Sequence, residues 1–482
     1  MRIVHLATTD LGGSYKAVER IHKGLLLNGA ESTVLLRTKF HEESVGTQVI
    51  SSTIQSLVSK AKNVMNLAAS KGEVIVDRFG TDMTEHPEVQ KADVIMLHWV
   101  NSFISVKGVA ELVSLGKPVI MVAHDMWCCT GGCHYDDYCE RYRLGCGSCP
   151  MIGKGKGGLS GCGDQEAAAE TVCVNGCGDV TGDRRMVEGT GMKVRKDVSY
   201  KEFWHKRRMY RGVTLVGPSS WSAQVARNSA IWDGNRIETI LNPLDTEAFR
   251  PLCGVDKEEG RSDEKDGLNA EKSSAAVYGS RAEIRQSGAR YGSKTEMKLA
   301  LRKKYGVPDD KKVILYGAAL ALQNKTKGAQ NIHTILKGLD PAQYRLVVFG
   351  NGEGESLPDL PIEATYLGYI HGDEAMCEVY NLADVFLVPS KQESFCYTVA
   401  EALACQVPVV SYGIGGILDQ VRTGENGFLA RFGHPEELTE GIRYCCERFF
   451  APWVGNGNSL AESGKKYLEL CEELVRGEMT DF

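Results

Sequence analysis

Residues 388–430 read VPSKQESFCYTVAEALACQVPVVSYGIGGILDQVRTGENGFLA. A short apolar run at 384–388 predicts a buried parallel strand. A polar loop follows at 389–394 and holds Lys391 and Glu393. Helical spacing over 395–405 predicts a helix that ends before Pro408. Residues 407–412 form a second strand, leading into a glycine-rich turn at 413–416. Strand, loop, helix, strand, loop is the repeating unit of a doubly wound α/β sheet, whose ligands sit at the carboxyl ends of the strands. A helix starting near Phe395 would aim its free N–H groups and positive dipole end into that crevice, an arrangement that suits a phosphate.

Two carboxylates frame this helix: Glu393 precedes it and Glu401 lies two turns inside. Eight residues at about 1.5 Å each span roughly 12 Å, close to the reach of a diphosphate plus a ribose. By itself such a spacing more often marks a solvated Glu before a helix and an ordinary Glu on it.

The block ESFCYTVAEALACQVPVVSYGIGGILDQVRTGENGFLA, residues 393–430, resembles the donor-site signature of retaining glycosyltransferases of family 4, which have the GT-B fold. The resemblance implies that Glu393 contacts the donor hexose and Glu401 the ribose. The backbone amides of Ser394, Phe395, Cys396 and Tyr397 would meet the diphosphate. The family commonly has glycine on either side of the loop's phenylalanine, where this chain has Ser394 and Cys396.

A chain of 482 residues is long enough for two domains with inserts. With 43% hydrophobic and 24% charged residues, its composition is globular. A formal net charge of −6 gives no reason to bind nucleic acid or anionic lipid. The sequence has no apolar run of roughly 18 residues, so no spanning helix is expected. The opening MRIVHLATTD reads as a strand and a polar loop, broken too early for a signal peptide. A cytoplasmic protein is expected.

Residues 2–7 predict the first strand and 8–14 a loop with Gly12 and Gly13. Val18, Ile21, His22, Leu25 and Leu26 recur at helical spacing up to Asn28 and Gly29, and 32–36 is the next strand. The Gly12-Gly13 pair resembles the family's first glycine loop, which approaches donor phosphate and acceptor. Residues 40–78 mix helical and polar signals without a clear element. A strand at 94–98, a helix at 106–115 and a strand at 118–123 lead to His124 and Asp125. A histidine at a strand's carboxyl end faces the crevice, although a hydrogen-bonded structural histidine is an equal alternative. The pair resembles the family's active-site histidine motif, which implies that His124 lies near the sugar.

Sixteen cysteines in a reducing compartment argue for thiols or metal over disulfides. The segments LHWVNSFIS, at 97–105, and HDMWCCTGGCHYDDYCERYRLGCGSCP, at 124–150, are similar to a subgroup from bacterial surface-polysaccharide pathways of the colanic-acid type. Cys133, Cys139, Cys146 and Cys149 follow C-x5-C-x6-C-x2-C. The terminal pair can place two thiolates on one metal and the earlier pair can complete a tetrahedral structural zinc site. Packed reduced thiols or a disulfide are the competing readings.

Residues 153–198 are rich in Gly, Lys, Asp and Glu and read as a mobile insertion, with a loose Cys173/Cys177 pair and a basic stretch at 184–196. A basic helix at 200–210 and two further strands carry the first domain to Asn242–Asp245, read NPLD, and its end near Phe249. Residues 250–298 are polar and read as a disordered insertion; structure is expected to resume with a helix at 299–305. A strand at 312–316 precedes Lys327, which resembles the lysine of the family's phosphate clamp. Gly368, Tyr369 and Ile370 resemble the loop whose backbone meets the donor base. A last helix at 460–475 is expected to cross back to the first domain.

The reading is an α/β protein of two Rossmann-like doubly wound domains, 1–249 and 299–455, facing across a cleft, with a crossing helix in 456–482. It implies hexosyl transfer from a UDP- or GDP-sugar to a glycan or lipid-linked hydroxyl with retained configuration, Lys327 and the helix tip balancing the leaving charge. No cofactor is needed for catalysis, and contact with the inner face of the cytoplasmic membrane stays open. A non-catalytic nucleotide-sugar-binding subunit and a zinc-organised interaction protein are the rivals. A dehydrogenase or epimerase is disfavoured, because no G-x-G-x-x-G follows the first strand.

Overall fold

The computed structural model describes residues 1–50, 53–152, 195–253, 290–317, 321, 323–350, 359–453 and 455–477. Seven strands form the first sheet: β1 (Arg2–Thr9), β2 (Glu31–Thr38), β3 (Thr47–Gln48), β4 (Val94–Leu97), β5 (Val119–Val122), β6 (Val213–Gly217) and β7 (Ile237–Thr239). Their order is β3-β2-β1-β4-β5-β6-β7. The second sheet holds β8 (Lys312–Gly317), β9 (Tyr344–Phe349), β10 (Ala364–Tyr366), β11 (Val385–Val388), β12 (Val409–Tyr412) and β13 (Gly427–Ala430). Their order is β10-β9-β8-β11-β12-β13. Every pairing in both sheets is parallel.

The helices of the first half are α1 (Gly12–Leu27), α2 (Thr53–Ala69), α3 (Pro87–Lys91), α4 (Val106–Val113), α5 (Val198–Met209) and α6 (Ser220–Arg227). Those of the second are α7 (Lys294–Lys304), α8 (Ile332–Lys337), α9 (Asp373–Asn381), α10 (Tyr397–Ala404), α11 (Pro435–Cys446) and α12 (Leu460–Arg476). The central strands VIML, VIMV, VFLV and VVSY are buried at every residue. Unbroken apolar runs of this kind suit parallel strands covered on both faces. In each sheet the strand order reverses beside the first strand, between β1 and β4 and between β8 and β11. Such switch points open a crevice at the strand ends.

The last helix packs on the first. Ser459 and Glu462 close a capping box at the start of α12. Tyr467, Leu470 and Cys471 then share a core with Ile3, Ile21, Leu25, Met96 and Ile120. The two helices touch through glycines, and a Cβ on Gly464 would stand 2.1 Å from the carbonyl oxygen of Gly24.

Several elements differ from the sequence expectation. Gly12 and Gly13 open α1 rather than sitting in a loop before it. The helix expected from 299 begins at Lys294, because Ser293 caps it by accepting the Glu296 N–H at 3.1 Å. Its charged residues mask an inner face of Met297 and Leu301. Residues 290–298, expected to be disordered, are therefore ordered, with Cys253 bridged to Tyr291. Asp197, placed in the first insertion, caps α5 through the Ser199 and Tyr200 N–H groups. The rest of both insertions, with Cys173, Cys177 and the basic residues 184–194, lies outside the described residues. In the stretch without a clear expectation lies α2, which exposes Leu57, Val58, Val64, Met65 and Leu67.

Candidate active site

The loop between β11 and α10 is held on both sides. Glycines clamp its back: a Cβ on Gly415 would lie 2.0 Å from the Glu393 carbonyl oxygen, and one on Gly416 2.3 Å from that of Ser394. The Gly416 N–H donates to the Glu393 carbonyl at 3.0 Å. The first domain holds its front. Ser219 and Ser222 donate to the Ser394 carbonyl at 2.5 and 3.2 Å, and Ser394 Oγ donates to the His124 carbonyl at 2.7 Å. Tyr138 donates to the Lys391 carbonyl at 2.6 Å. The loop is thus shared by the two domains.

The helix expected from Phe395 begins two residues later, at Tyr397. Phe395 is instead buried in the core under the loop. Cys396 stands at the cap with φ of 72°, in the left-handed region, and makes no side-chain cap bond. The Val399 N–H of the first turn meets the Cys396 carbonyl at 3.2 Å and faces its sulfur, and no oxygen-bearing side chain caps the helix.

Glu393 is buried, and its Oε1 accepts from Lys327 Nζ at 2.6 Å. Burial opposes the charge on Lys327, but the adjacent Glu393 carboxylate outweighs it and raises the ammonium pKa. A half-buried lysine paired with a buried carboxylate stays charged across the working pH range.

Glu401, buried on α10, has both oxygens engaged. Arg20 and Lys16 of α1 reach Oε1 at 2.8 and 3.2 Å, and the Tyr380 hydroxyl donates to Oε2 at 3.1 Å. Lys16 also meets Asp373, at the start of α9, at 3.1 Å. Arg20 is only 2% exposed and lies over the rings of Tyr397 and Phe249 at 4.6 and 5.4 Å. An ion-pair group therefore ties the first helix to the second domain. The sequence reading missed Arg20, whose signal was a charge within the buried row Ala17, Val18, Ile21 and Leu25.

On the first-domain side, β5 delivers His124 to the interface. Its Nε2 lies 3.0 Å from His98 Nδ1, and burial pushes its pKa down to about 4. Asp125 accepts from the Trp127 N–H at 2.8 Å and from Trp99 Nε1 at 3.1 Å, and its Oδ2 lies 2.7 Å from His134 Nδ1. Burial works against the Asp125 carboxylate, but His134 and these donors hold it below the usual range. Gly12 and Gly13 have nothing within 4 Å of where a Cβ would stand, so their backbone borders open space. Tyr369 is exposed at the end of β10, beside Gly368 and Ile370.

Cys133, Cys139, Cys146 and Cys149 line one small cavity in the first domain, together with Thr130, Asp136 and Ser199. The Gly131 N–H donates to Cys146 Sγ at 3.2 Å, and the N–H groups of Arg141 and Met151 face the sulfurs of Cys139 and Cys149. Among the described residues no three His, Cys, Asp or Glu side chains are already grouped to hold a metal.

Two parallel doubly wound domains, joined at their switch-point edges around a helix tip, a Lys–Glu pair and a histidine, define a GT-B architecture. Residues 297–448 match the family described as Glycosyl transferases group 1, so the second half carries that domain. An uncharacterized glycosyltransferase of Methanocaldococcus jannaschii is 30% identical over 166 residues, covering 33% of this chain and 40% of the relative. A D-inositol 3-phosphate glycosyltransferase of Stackebrandtia nassauensis is 34% identical over 154 residues, 29% of this chain and 34% of the relative. The chain thus spans less than half the length of these curated relatives. Over whole chains, a glycosyltransferase from Rickettsia africae aligns with a TM-score of 0.56 at 13% identity, covering 98% of each. HepE of Anabaena, in complex with UDP-glucose, aligns at 0.51 and 14% identity, covering 99% of each. At such identities the likeness shows the fold.

Proposed function

We propose that this chain is a retaining glycosyltransferase that moves a hexosyl group from a nucleotide-sugar to a hydroxyl of a glycan or lipid-linked acceptor. The Lys327–Glu393 pair, in a loop before α10 that Ser394 ties to the His124 carbonyl, carries the reading. The donor diphosphate lies against the first N–H groups of α10 and beside Lys327. As the bond from the sugar C1 to the diphosphate oxygen breaks, negative charge grows where those groups already point, which is where fixed dipoles lower a barrier most. The acceptor oxygen then bonds C1 on the same face, and the departing phosphate oxygen takes its proton. Glu393, oriented by Lys327, and neutral His124 hold the sugar hydroxyls. Gly368, Tyr369 and Ile370 border the base, and Gly12 and Gly13 leave room for phosphate and acceptor. The ribose diol takes Glu401 from Lys16, its half-exposed partner, while Arg20 and Tyr380 stay in place.

The donors to test are UDP- and GDP-hexoses. HepE of Anabaena was solved with UDP-glucose, and a Corynebacterium glutamicum relative is named a GDP-mannose-dependent α-mannosyltransferase. Surface-polysaccharide synthesis supplies the acceptor class, and the exposed apolar side chains of α2, interleaved with Lys60 and Lys62, supply a lipid contact. No described helix is long and apolar enough to cross a membrane. Transfer in this reading uses no metal. The four cysteines around one cavity form a structural zinc site once their sulfurs draw in, and metal analysis finding zinc well below one per chain removes it.

The decisive experiment is a transfer assay over that donor panel with wild type and Glu393→Ala. Transfer is expected to vanish in the variant while circular dichroism and donor-induced thermal shift persist. Near-normal transfer by Glu393→Ala overturns the reading.

A further inference from the structure

A line of polar side chains crosses the first sheet from α1 to the cleft. His22 of α1 and His5 of β1 share Ser32 Oγ of β2, at 2.8 and 3.0 Å. His5 Nδ1 lies 2.8 Å from His98 Nε2, and His98 Nδ1 lies 3.0 Å from His124 Nε2. The last three rings stack with centroids 5.1 and 5.3 Å apart, tilted by 21° and 22°. His5 and His98 are buried at the centre of the sheet, and His124 is half-buried at the interface. Among the described residues the second ring nitrogen of His124, Nδ1, has no hydrogen-bond partner.

Resting on the glycosyl-transfer reading, we propose that His5 and His98 are positioning residues that fix the tautomer of His124. They thereby decide whether its Nδ1 offers the donor sugar a proton or a lone pair.

A neutral imidazole has one N–H and one lone pair. Where two rings meet, one must donate and the other accept, so choosing one tautomer fixes the next. With the Ser32 hydroxyl proton kept within the line, two arrangements satisfy all four contacts. In the first, His22 Nδ1–H donates to Ser32, Ser32 donates to His5, His5 to His98, and His98 to His124, whose proton then sits on Nδ1. In the second, every bond runs backwards and His124 Nδ1 is bare.

The buried rings stay neutral over the working range. Burial pushes the His5 pKa down to about 3 and that of His98 well down, the neighbouring rings adding to the effect. The charged groups that face the chain are Asp125 beside His124, and Glu19 and Lys23 beside His22. Half-buried His22 is the end at which a proton can enter. Once protonated it has no lone pair, so Ser32 accepts from it and, with its own proton kept within the line, donates to His5. That selects the Nδ1–H form of His124 at the opposite end of the chain.

The test is 15N NMR of the histidine-labelled full chain, in which each neutral ring reports its tautomer without substrate. Wild-type His124 is expected to hold one tautomer at neutral pH and to have the Nδ1–H form once His22 is protonated. His98→Phe should mix both forms and lower kcat about 10- to 100-fold with donor KM little changed. His98→Asn, which keeps a polar partner for His124, should recover most of that loss. Ser32→Ala removes one hydroxyl and should uncouple His124 from His22; it also serves if His98→Phe does not fold. An unchanged His124 tautomer in His98→Phe, or in Ser32→Ala titrated through His22, overturns the proposal. If no protein transfers sugar but the tautomer responds as stated, the relay stands and the transferase reading fails.

Discussion

The two domains share one strand order yet build their halves of the cleft in opposite ways. The second domain draws Glu393, the tip of α10 and Glu401 from one continuous stretch, adding Lys327, Tyr380 and the 368–370 loop from elsewhere. The first domain assembles its half from residues far apart in the chain: His5 on β1, Lys16 and Arg20 on α1, and His98 and His124 just beyond β4 and β5. Parallel pairing of β1 with β4, and of β4 with β5, makes these residues neighbours. A local motif presents the groups proposed to face the phosphate, while sheet register aligns the groups that support them.

Removing Lys327 probes the local half. Lys327→Ala should lower kcat about 100- to 1,000-fold, the range seen when one preorganised charge-stabilising donor is lost. A change below tenfold would move the leaving-group charge away from α10. Acid probes the assembled half. Histidines held neutral by burial leave the unfolded chain binding more protons than the folded one, so stability rises with pH in that window. The fold should therefore lose about 1.4 kcal/mol per pH unit for each such histidine as pH falls from about 6.5 toward the folded values, about 3 for His5 and about 4 for His124. Urea titrations of wild type and His5→Asn across that range check it, since the variant should show a shallower slope.

The ion pair that joins the halves comes next. Arg20→Ala leaves Glu401 buried with a weaker partner set and should cost about 3 kcal/mol. Lys16→Ala, at the exposed side of the same carboxylate, should cost less than about 1 kcal/mol. Equal costs in denaturant titration would mean that burial does not distinguish the two cations. At Cys396 a small effect of opposite sign is expected. A left-handed non-glycine residue costs roughly 1–2 kcal/mol, so Cys396→Gly should raise stability by about 1 kcal/mol once its lost packing is subtracted. A fall in the urea midpoint would show that the thiol's packing outweighs the backbone strain.

The same contrast explains what could be read in the sequence. Alternating apolar runs and glycine turns made the strands legible, and Glu393 and Lys327 stood out through a contiguous resemblance. Arg20, His5 and His98 did not, because each occupies a position where the pattern asks for an apolar residue. Their meaning lies in partners on other strands or in the other domain. The start of α7 was hidden by its charges, since Lys294, Lys298, Arg302, Lys303 and Lys304 outnumber the two side chains that face the core. The engagement of Glu401 by α1 was equally hidden, because nothing local to α10 announces a cation from the opposite domain.

The glycine contact between α1 and α12 has a consequence for how the molecule is made. Ile21 and Leu25 are covered by Tyr467 and Leu470, which leave the ribosome only after the whole second domain. At about 5–20 residues per second, the outer layer of the N-terminal half stays bare for roughly 10–45 seconds of translation. A nascent chain stalled before α12 should therefore bind holdase chaperones through α1, and release them when synthesis runs on through Cys471.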